Sequence, residues 1–531
     1  MKVRLSFLSF FCVFAVATQS FCLESQTNDQ EEARTIDNYI ANMKPEEKIG
    51  QLLMLGILDE NLTPDLTAKI QKIKPGFLIL FRKNIKTPLQ TAQLIYDSQR
   101  ASYAATKTQM LIAVDQEGGD VVRIPTKPPL PTALALGRSQ DPKHAFEIGK
   151  NIGFILKSLG IHINLAPVLD LSNPEKNSFI QTRSFGDNPR LVSEVAMAFS
   201  QGVEAAGILS TAKHFPGLGD LKQDSHKEIV ENPVSKSEFF QKYLVPYEKL
   251  IQKNALSCVM MTHLVYPNLD PSLRPATFST EIVSLLKDRL HFKGLILTDD
   301  IEMAGAKYFK NPAERTVQAF LAGNDVLMVA WNQASQKRSA QGLLDAYKKG
   351  VITDARLNES LRKILSFKAR LGLLDKPRKY NPKLIFSSLR NENLKNAVDA
   401  VLDKILKEEL AKLSITNSHL NTDRVLVFSN DYKFYKNFYE GIGAKEQHKK
   451  VGFAPINQGF QFAQFQGAAK KASLLVFDIV GPRSTLGLSQ LPRWAKSKTL
   501  VINSRSLGSI RNEKDFLSIV QVSMKSPELG K

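Results

Sequence analysis

Short apolar runs recur along the first two thirds of the chain: Leu52–Ile57, Phe77–Phe81, Met110–Val114, Ile163–Leu169, Leu209–Ala212, Cys258–Leu264, Gly294–Leu297 and Val326–Ala330. They are continuous rather than alternating, and most are bounded by Gly, Pro, Asp or Asn. Runs of this kind are strands of a parallel sheet that is buried on both faces. Amphipathic segments of helical length lie between them, among them Ala145–Leu159, Pro189–Ala206, Ser237–Gln252 and Glu281–Leu290, and a further helical segment, Glu31–Met43, precedes the first run. Eight strands alternating with helices predict an α/β fold, a (β/α)8 barrel, with a doubly wound sheet as the alternative.

Near Leu374 the pattern changes. KPRKYNPK (Lys376–Lys383) is basic and holds two prolines, which marks a boundary. A helical, mixed-charge stretch follows at Asn391–Leu413, and then three strand-like runs at Arg424–Ser429, Ser473–Ile479 and Thr499–Asn503. Gly452–Lys471, rich in Gly, Gln and Phe, reads as a loop running into a helix. The expected organisation is therefore a barrel over residues 30–375, a linker over 376–395 and a small α/β domain over 396–531.

Residues 1–20 form an export signal. Lys2 and Arg4 precede an apolar stretch from Leu5 to Ala17, with small residues at Ala15, Ala17 and Ser20. Cys22 raises the alternative of a lipid anchor, but Phe21 before it makes a poor lipidation site. The expected location is periplasmic or secreted. No later run approaches the roughly 20 apolar residues of a membrane span.

Composition narrows the classes. Of 531 residues, 43% are hydrophobic and 23% charged, which excludes wholesale disorder and collagen-like repetition. Three cysteines cannot build a disulfide framework or a cysteine-rich zinc site. The net charge is +19, and residues 401–531 hold 20 basic against 11 acidic residues, so the last quarter is the more basic part. Without a zinc-finger spacing, an RNP-type motif or an Arg-rich tract, that charge does not indicate nucleic acid; it reads as solvated surface or attraction to an acidic polymer.

In a barrel, chemistry gathers just beyond the C-terminal ends of the strands. The third run ends in Asp115, with Glu117, Gly118, Gly119 and Arg123 after it. The fourth ends in Asp170, with Arg183 in the following loop. The fifth leads into Lys213 and His214, the sixth into Thr262 and His263, and the seventh into Asp299 and Asp300. Any one of these has an ordinary structural explanation: an Asp as a helix cap, a histidine satisfied in the core, an arginine in a surface ion pair, a Gly pair serving a turn. Their coincidence on one rim favours an active site. Asp224-Ser225-His226 adds a carboxylate beside an imidazole within a Gly-containing loop, an arrangement suited to acid/base work. No G-x-S-x-G elbow and no HExxH pair occurs, so neither a serine hydrolase nor a metal enzyme is indicated, and no cofactor is expected.

The pieces GFLILFRKNI (Gly76–Ile85), VDQEGGDVVR (Val114–Arg123), NLAPVLDL (Asn164–Leu171), RSFGDNP (Arg183–Pro189), KHFPGLGDLKQDSH (Lys213–His226), LTDDIEMAGA (Leu297–Ala306) and AGNDVLMV (Ala322–Val329) resemble, in order, those of glycoside hydrolase family 3 in its β-N-acetylglucosaminidase (β-N-acetylhexosaminidase) branch. The resemblance covers about residues 33–375. It implies that Asp299 is the nucleophile, that His226 is the acid/base with Asp224 as its partner, and that Asp115, Arg123, Arg183, Lys213 and His214 hold the sugar. Met303 matches a position near the nucleophile and is assigned to packing. It further implies a retaining exo-enzyme removing terminal β-linked N-acetylglucosamine from peptidoglycan fragments or chitooligosaccharides, with a role in wall turnover.

Three departures stand out. Gly217-Leu218-Gly219 replaces the usual Gly-His-Gly, Asp120 replaces the Arg common after the Gly pair, and the C-terminal unit is shorter than in typical two-domain members. The first two predict altered loop mobility or leaving-group preference rather than lost catalysis. A glycoside phosphorylase, a β-glucosidase and a non-catalytic wall-binding barrel remain competing readings.

Overall fold

The computed structural model describes residues 31–173, 180–219, 221, 223, 228–412 and five strands beyond them. Each of the eight apolar runs contains a strand: β1 (Leu53–Gly56), β2 (Phe77–Leu80), β3 (Leu111–Val114), β4 (Ile163–Asn164), β5 (Leu209–Phe215), β6 (Cys258–Met261), β7 (Leu295–Thr298) and β8 (Leu327–Val329). Neighbours pair in parallel from β1 round to β7, β8 pairs with β1, and a bridge between Leu297 and Val326 closes the ring. This is the (β/α)8 barrel.

Each strand is followed by a helical segment, and the sequence marks where many of these begin. Thr63-Pro64, Thr87-Pro88, Asp141-Pro142, Asn188-Pro189 and Asn311-Pro312 each place a capping side chain on an otherwise orphaned backbone N–H, with proline at the first helical position. Alternation within the strands sorts the core into two layers. Leu78, Leu80, Ile112 and Val114 join the layer beneath the helices. Phe77, Ile79, Leu111 and Ala113 join the other, which also takes in the helix over residues 31–42. The barrel interior is thus filled with side chains, and polar residues collect only at its ends.

The segment expected as a linker holds a helix, Pro382–Leu389, whose Ile385 is fully buried. Ser388 and Asn391 bond to Ser158 and Asn151 of the helix Pro142–Leu159, so the chain leaving the barrel lies against it. A long helix, Glu392–Lys412, follows. The C-terminal strands are β9 (Arg424–Ser429), β10 (Lys450–Pro455), β11 (Leu474–Ile479), β12 (Thr499–Asn503) and β13 (Ser518–Gln521), in the parallel order β10-β9-β11-β12-β13. The three expected runs are three of these. The start of Gly452–Lys471, read as loop, is instead the end of β10; pairing with β9 overrides its Gly and Pro content. Among the described residues no helix is long and apolar enough to cross a membrane. The export signal at residues 1–20 lies outside the described residues.

Candidate active site at the C-terminal rim of the barrel

Just beyond β3 the chain turns back in a tight hairpin, Gln116–Gly118 against Val121–Val122. Gly118 and Gly119 both have positive φ (105° and 54°), and a side chain on either would run into the segment Pro131–Thr132, so the Gly pair is required by this turn. Gln116 locks the hairpin. Its amide oxygen accepts from the backbone N–H of Arg123 and Ile124, and its backbone exchanges two hydrogen bonds with the buried Asn164 side chain of β4. Asp115, Glu117 and Arg123 are thereby fixed in place.

These residues meet cations from elsewhere on the rim. The Lys213 ammonium, on β5, lies 2.9 Å from Asp115 Oδ1 and 2.6 Å from Glu117 Oε1. Arg183 makes a two-pronged contact with Glu117, donating from Nε at 2.8 Å and Nη2 at 2.9 Å. Arg123 donates to Asp115 at 3.2 Å. Burial works to raise the Glu117 carboxyl, but Arg183 and Lys213 outweigh it and hold the group well below the usual carboxylate range. Burial likewise works to lower Lys213 and Arg183, and their carboxylate partners outweigh it, so both are held above their ordinary values. All three stay charged without water around them.

His214 is oriented by Asp170. Its Nδ1 lies 2.7 Å from Asp170 Oδ2, while Asp170 Oδ1 accepts from the Leu218 backbone at 2.7 Å. Leu218, the departure from the family loop, is buried in the core layer under the helices. Asp120, the other, accepts from the Thr182 hydroxyl, one residue from Arg183.

Asp299 follows β7, and its Oδ1 accepts from the Asp300 backbone N–H at 2.8 Å. Asp300 is buried. Its Oδ1 accepts from Ala330 and Glu302, and its Oδ2 has no partner among the described residues. Burial first, and then the charges of Asp299 and Glu302, push its carboxyl up to about 7 against the opposing pull of those backbone N–H groups. His263 does not face the cavity. It is buried between the Asp300 carbonyl at 3.0 Å and the Thr277 hydroxyl at 2.8 Å, bracing the loop that carries Asp299.

A cavity of about 610 Å³ gathers Asp115, Glu117, Arg123, Arg183, Lys213, His214, Asp299 and Asp300 with Met303 and Trp331. Six of the eight expected site residues are therefore in one place. The other two, Asp224 and His226, lie outside the described residues. Glu117 is absent from the expected sugar-holding set, although it is buried and pairs with both Arg183 and Lys213. Its only sequence signal is its position two residues after Asp115 and just before the glycines. Among the described residues no cluster of His, Cys, Asp and Glu is arranged to hold a metal ion.

The family description "Glycosyl hydrolase family 3 N terminal domain" matches residues 45–367. The protein "Beta-hexosaminidase A" of Pseudoalteromonas piscicida is 33% identical over 333 residues, covering 58% of this chain and 56% of that protein, so the match spans little more than half of that relative. "Uncharacterized secreted glycosyl hydrolase" of Arthroderma benhamiae is 36% identical over 310 residues, covering 56% of this chain and 86% of that protein. Among solved structures, a glycoside hydrolase family 3 β-N-acetylglucosaminidase from Paenibacillus sp. str. FPU-7 superposes with a TM-score of 0.72 at 25% identity, over 92% of this chain and 95% of that one. With the family match spanning the whole barrel and the charged cavity at its rim, the chain belongs to glycosyl hydrolase family 3.

Proposed function

We propose that the protein is a retaining exo-β-N-acetylglucosaminidase, an O-glycosyl hydrolase that removes terminal β-linked N-acetylglucosamine from peptidoglycan fragments or chitooligosaccharides outside the cytosol. The observation that carries this reading is that Asp299 shares one cavity with the Asp115–Lys213–Glu117–Arg183 cluster. Such a cluster offers fixed donors and acceptors to the hydroxyl and acetamido groups of one terminal sugar. The name of the Pseudoalteromonas relative supports the hexosaminidase class, and the description of the Arthroderma relative as secreted supports export.

The chemistry follows from the residues. Asp299 attacks the anomeric carbon, and the bond to the leaving oxygen breaks as His226 delivers a proton to it. The Asp300 N–H donates to one carboxylate oxygen of Asp299 and so orients the carboxylate that forms the glycosyl ester. Water then attacks the same carbon while His226 takes its proton, and Asp299 departs. An imidazole starts near pKa 6.5, close to working pH, so Asp224 serves to orient His226 rather than to tune it. The Asp115, Arg123, Arg183, Lys213 and His214 side chains hold the sugar throughout.

The test combines product release with trapping. Terminal N-acetylglucosamine should be freed from wall fragments and chitobiose, with no comparable turnover of plain β-glucosides and no acceleration by phosphate. A slow fluorinated substrate should leave its sugar on Asp299, read by peptide mass spectrometry. An adduct on another residue sinks the nucleophile assignment; dependence on phosphate makes the protein a phosphorylase instead.

A further inference from the structure

The cavity has a second side that the sugar-holding cluster does not use. Phe81, after β2, and Trp331, after β8, line the same cavity as Glu117. Their rings stack with centroids 4.2 Å apart and an angle of 29° between planes. Trp331 is 49% exposed. It is not a loose surface side chain, because both loops are pinned. The buried Asn84 accepts from the Phe81 backbone and donates to the carbonyls of Ile57 and Asp59. Glu302 accepts from the backbone N–H groups of Trp331 and Asn332. An indole held open to water beside a nucleophile exposes apolar surface that the fold alone does not require.

Two cations share this rim. Lys83 Nζ lies over the Trp331 ring, 4.4 Å from its centroid, and Arg82 donates only to the Ile85 carbonyl. Among the described residues neither has a carboxylate within ion-pair distance, and both line the cavity that holds Asp299. Asp59, whose charge acts on Lys83 from beyond that distance, accepts from the Thr63 hydroxyl, and Glu302 is occupied with backbone N–H groups.

We infer that Trp331, backed by Phe81, is the platform for the leaving-side sugar, and that Lys83 with Arg82 selects a leaving sugar bearing a carboxylate. This rests on the glycosidase reading above and adds to it a leaving-group specificity. The carbohydrate ring settles on the indole, the half-buried Lys83 ammonium swings off the ring, and it meets the carboxylate with the exposed Arg82 beside it. A neutral sugar displaces the ammonium and gives it nothing in return.

The experiment compares kcat/KM on three substrates: methyl N-acetyl-β-glucosaminide, chitobiose, and N-acetylglucosaminyl-β-1,4-N-acetylmuramic acid. The wild-type enzyme should prefer the acidic disaccharide over chitobiose by about tenfold, the worth of one charge-assisted contact. Lys83→Ala combined with Arg82→Ala should bring that ratio to about one, whereas Lys83→Arg should keep most of it. Trp331→Ala should lower both disaccharides relative to the methyl glycoside, and Trp331→Phe should restore part of the difference. An acidic-to-neutral ratio that is already one, or that survives loss of both cations, overturns the carboxylate assignment. A disaccharide-to-methyl ratio unmoved by Trp331→Ala overturns the platform. If the wild-type enzyme cleaves the methyl glycoside and chitobiose, the glycosidase reading stands whatever the ratios do. If it cleaves none of the three, that reading falls and takes this one with it.

Discussion

The Lys213 ammonium sits 2.6 Å from a Glu117 carboxylate oxygen, with both side chains almost wholly removed from solvent. Two ions so deeply enclosed are costly to desolvate, and the pair is tolerated because Arg183 and Asp115 complete a four-member array. Asp115 and Arg183 are the more exposed members of that array, while Lys213 and Glu117 stay enclosed. A sugar hydroxyl arriving there meets dipoles and charges that are already aligned, which is how a preorganised site stabilises developing charge.

Glu117→Gln should be the most disruptive conservative change on the rim. It leaves Lys213 with Asp115, already shared with Arg123, as its remaining ion-pair partner, and Arg183 with only the more distant charges of Asp115 and Asp170. Breaking a buried pair in this way costs about 3–5 kcal/mol. Chemical denaturation should show that loss, and kcat/KM should fall even at temperatures where the variant remains folded. A variant as stable as the parent would mean that Glu117 is not the counter-ion of the site.

Asp300 gives a pH signature of its own. Its carboxyl titrates at about 7 in the fold, against about 3.9 in an unfolded chain. Below pH 4 both states are protonated and nothing is lost. Between about 4 and 7 the unfolded chain releases its proton while the folded one keeps it, so stability falls as pH rises and levels off above 7. Asp300→Asn removes that slope. The stability difference between variant and parent should shift in the variant's favour by on the order of 4 kcal/mol from pH 4 to pH 8. Urea melts at several pH values measure it, and a difference flat with pH would contradict the assignment.

The barrel was legible because its signals are local. Most strands lie in continuous apolar runs, and Thr63-Pro64, Thr87-Pro88, Asp141-Pro142, Asn188-Pro189 and Asn311-Pro312 each start a helix. The rim was legible as a set of residue types, because strand ends are countable in sequence. Which members pair was not, since Asp115 and Lys213 meet across 98 residues and Glu117 and Arg183 across 66. Trp331 carried no signal at all: an aromatic after a strand reads as core until its exposure and its stack on Phe81 are seen. The strands β10 and β13 escaped for a different reason. One contains Gly and Pro and the other has four residues, so only their pairing partners reveal them.

His226→Ala should separate substrates by leaving group. A nitrophenolate departs without help, whereas a sugar alkoxide needs a proton in the transition state. On a nitrophenyl N-acetylglucosaminide the formation of the glycosyl-enzyme should be nearly unaffected, while chitobiose cleavage should fall by about 10²–10⁴-fold. Pre-steady-state bursts on the first substrate and product release on the second provide the measurement. Equal losses on both would remove the acid role from His226.

Lys368 lies at the opposite end of the functional spectrum. It is fully buried, its ammonium donates to the Gln51 amide oxygen at 2.5 Å, and burial pulls it down to about 7. His162, which burial of its ring and then Lys368 pull down to about 4, is half-buried as a residue and accepts from the Ile112 backbone at its Nδ1. Neither lines the catalytic cavity, so their effect is on folding. An unfolded lysine holds its proton up to about pH 10.4, whereas the folded one releases it from about 7, so the penalty is complete below pH 7 and fades as pH climbs to 10. Lys368→Met removes the ionisable group and leaves Gln51 without its donor, a cost that does not vary with pH. The advantage of the variant should therefore be largest near pH 6 and shrink by on the order of 5 kcal/mol towards pH 10. His162 titrates below this window and does not blur it. Denaturant titrations of both proteins at pH 6, 8 and 9.5 would show the trend, and an advantage that stays flat with pH would mean that Lys368 keeps its proton in the folded protein throughout.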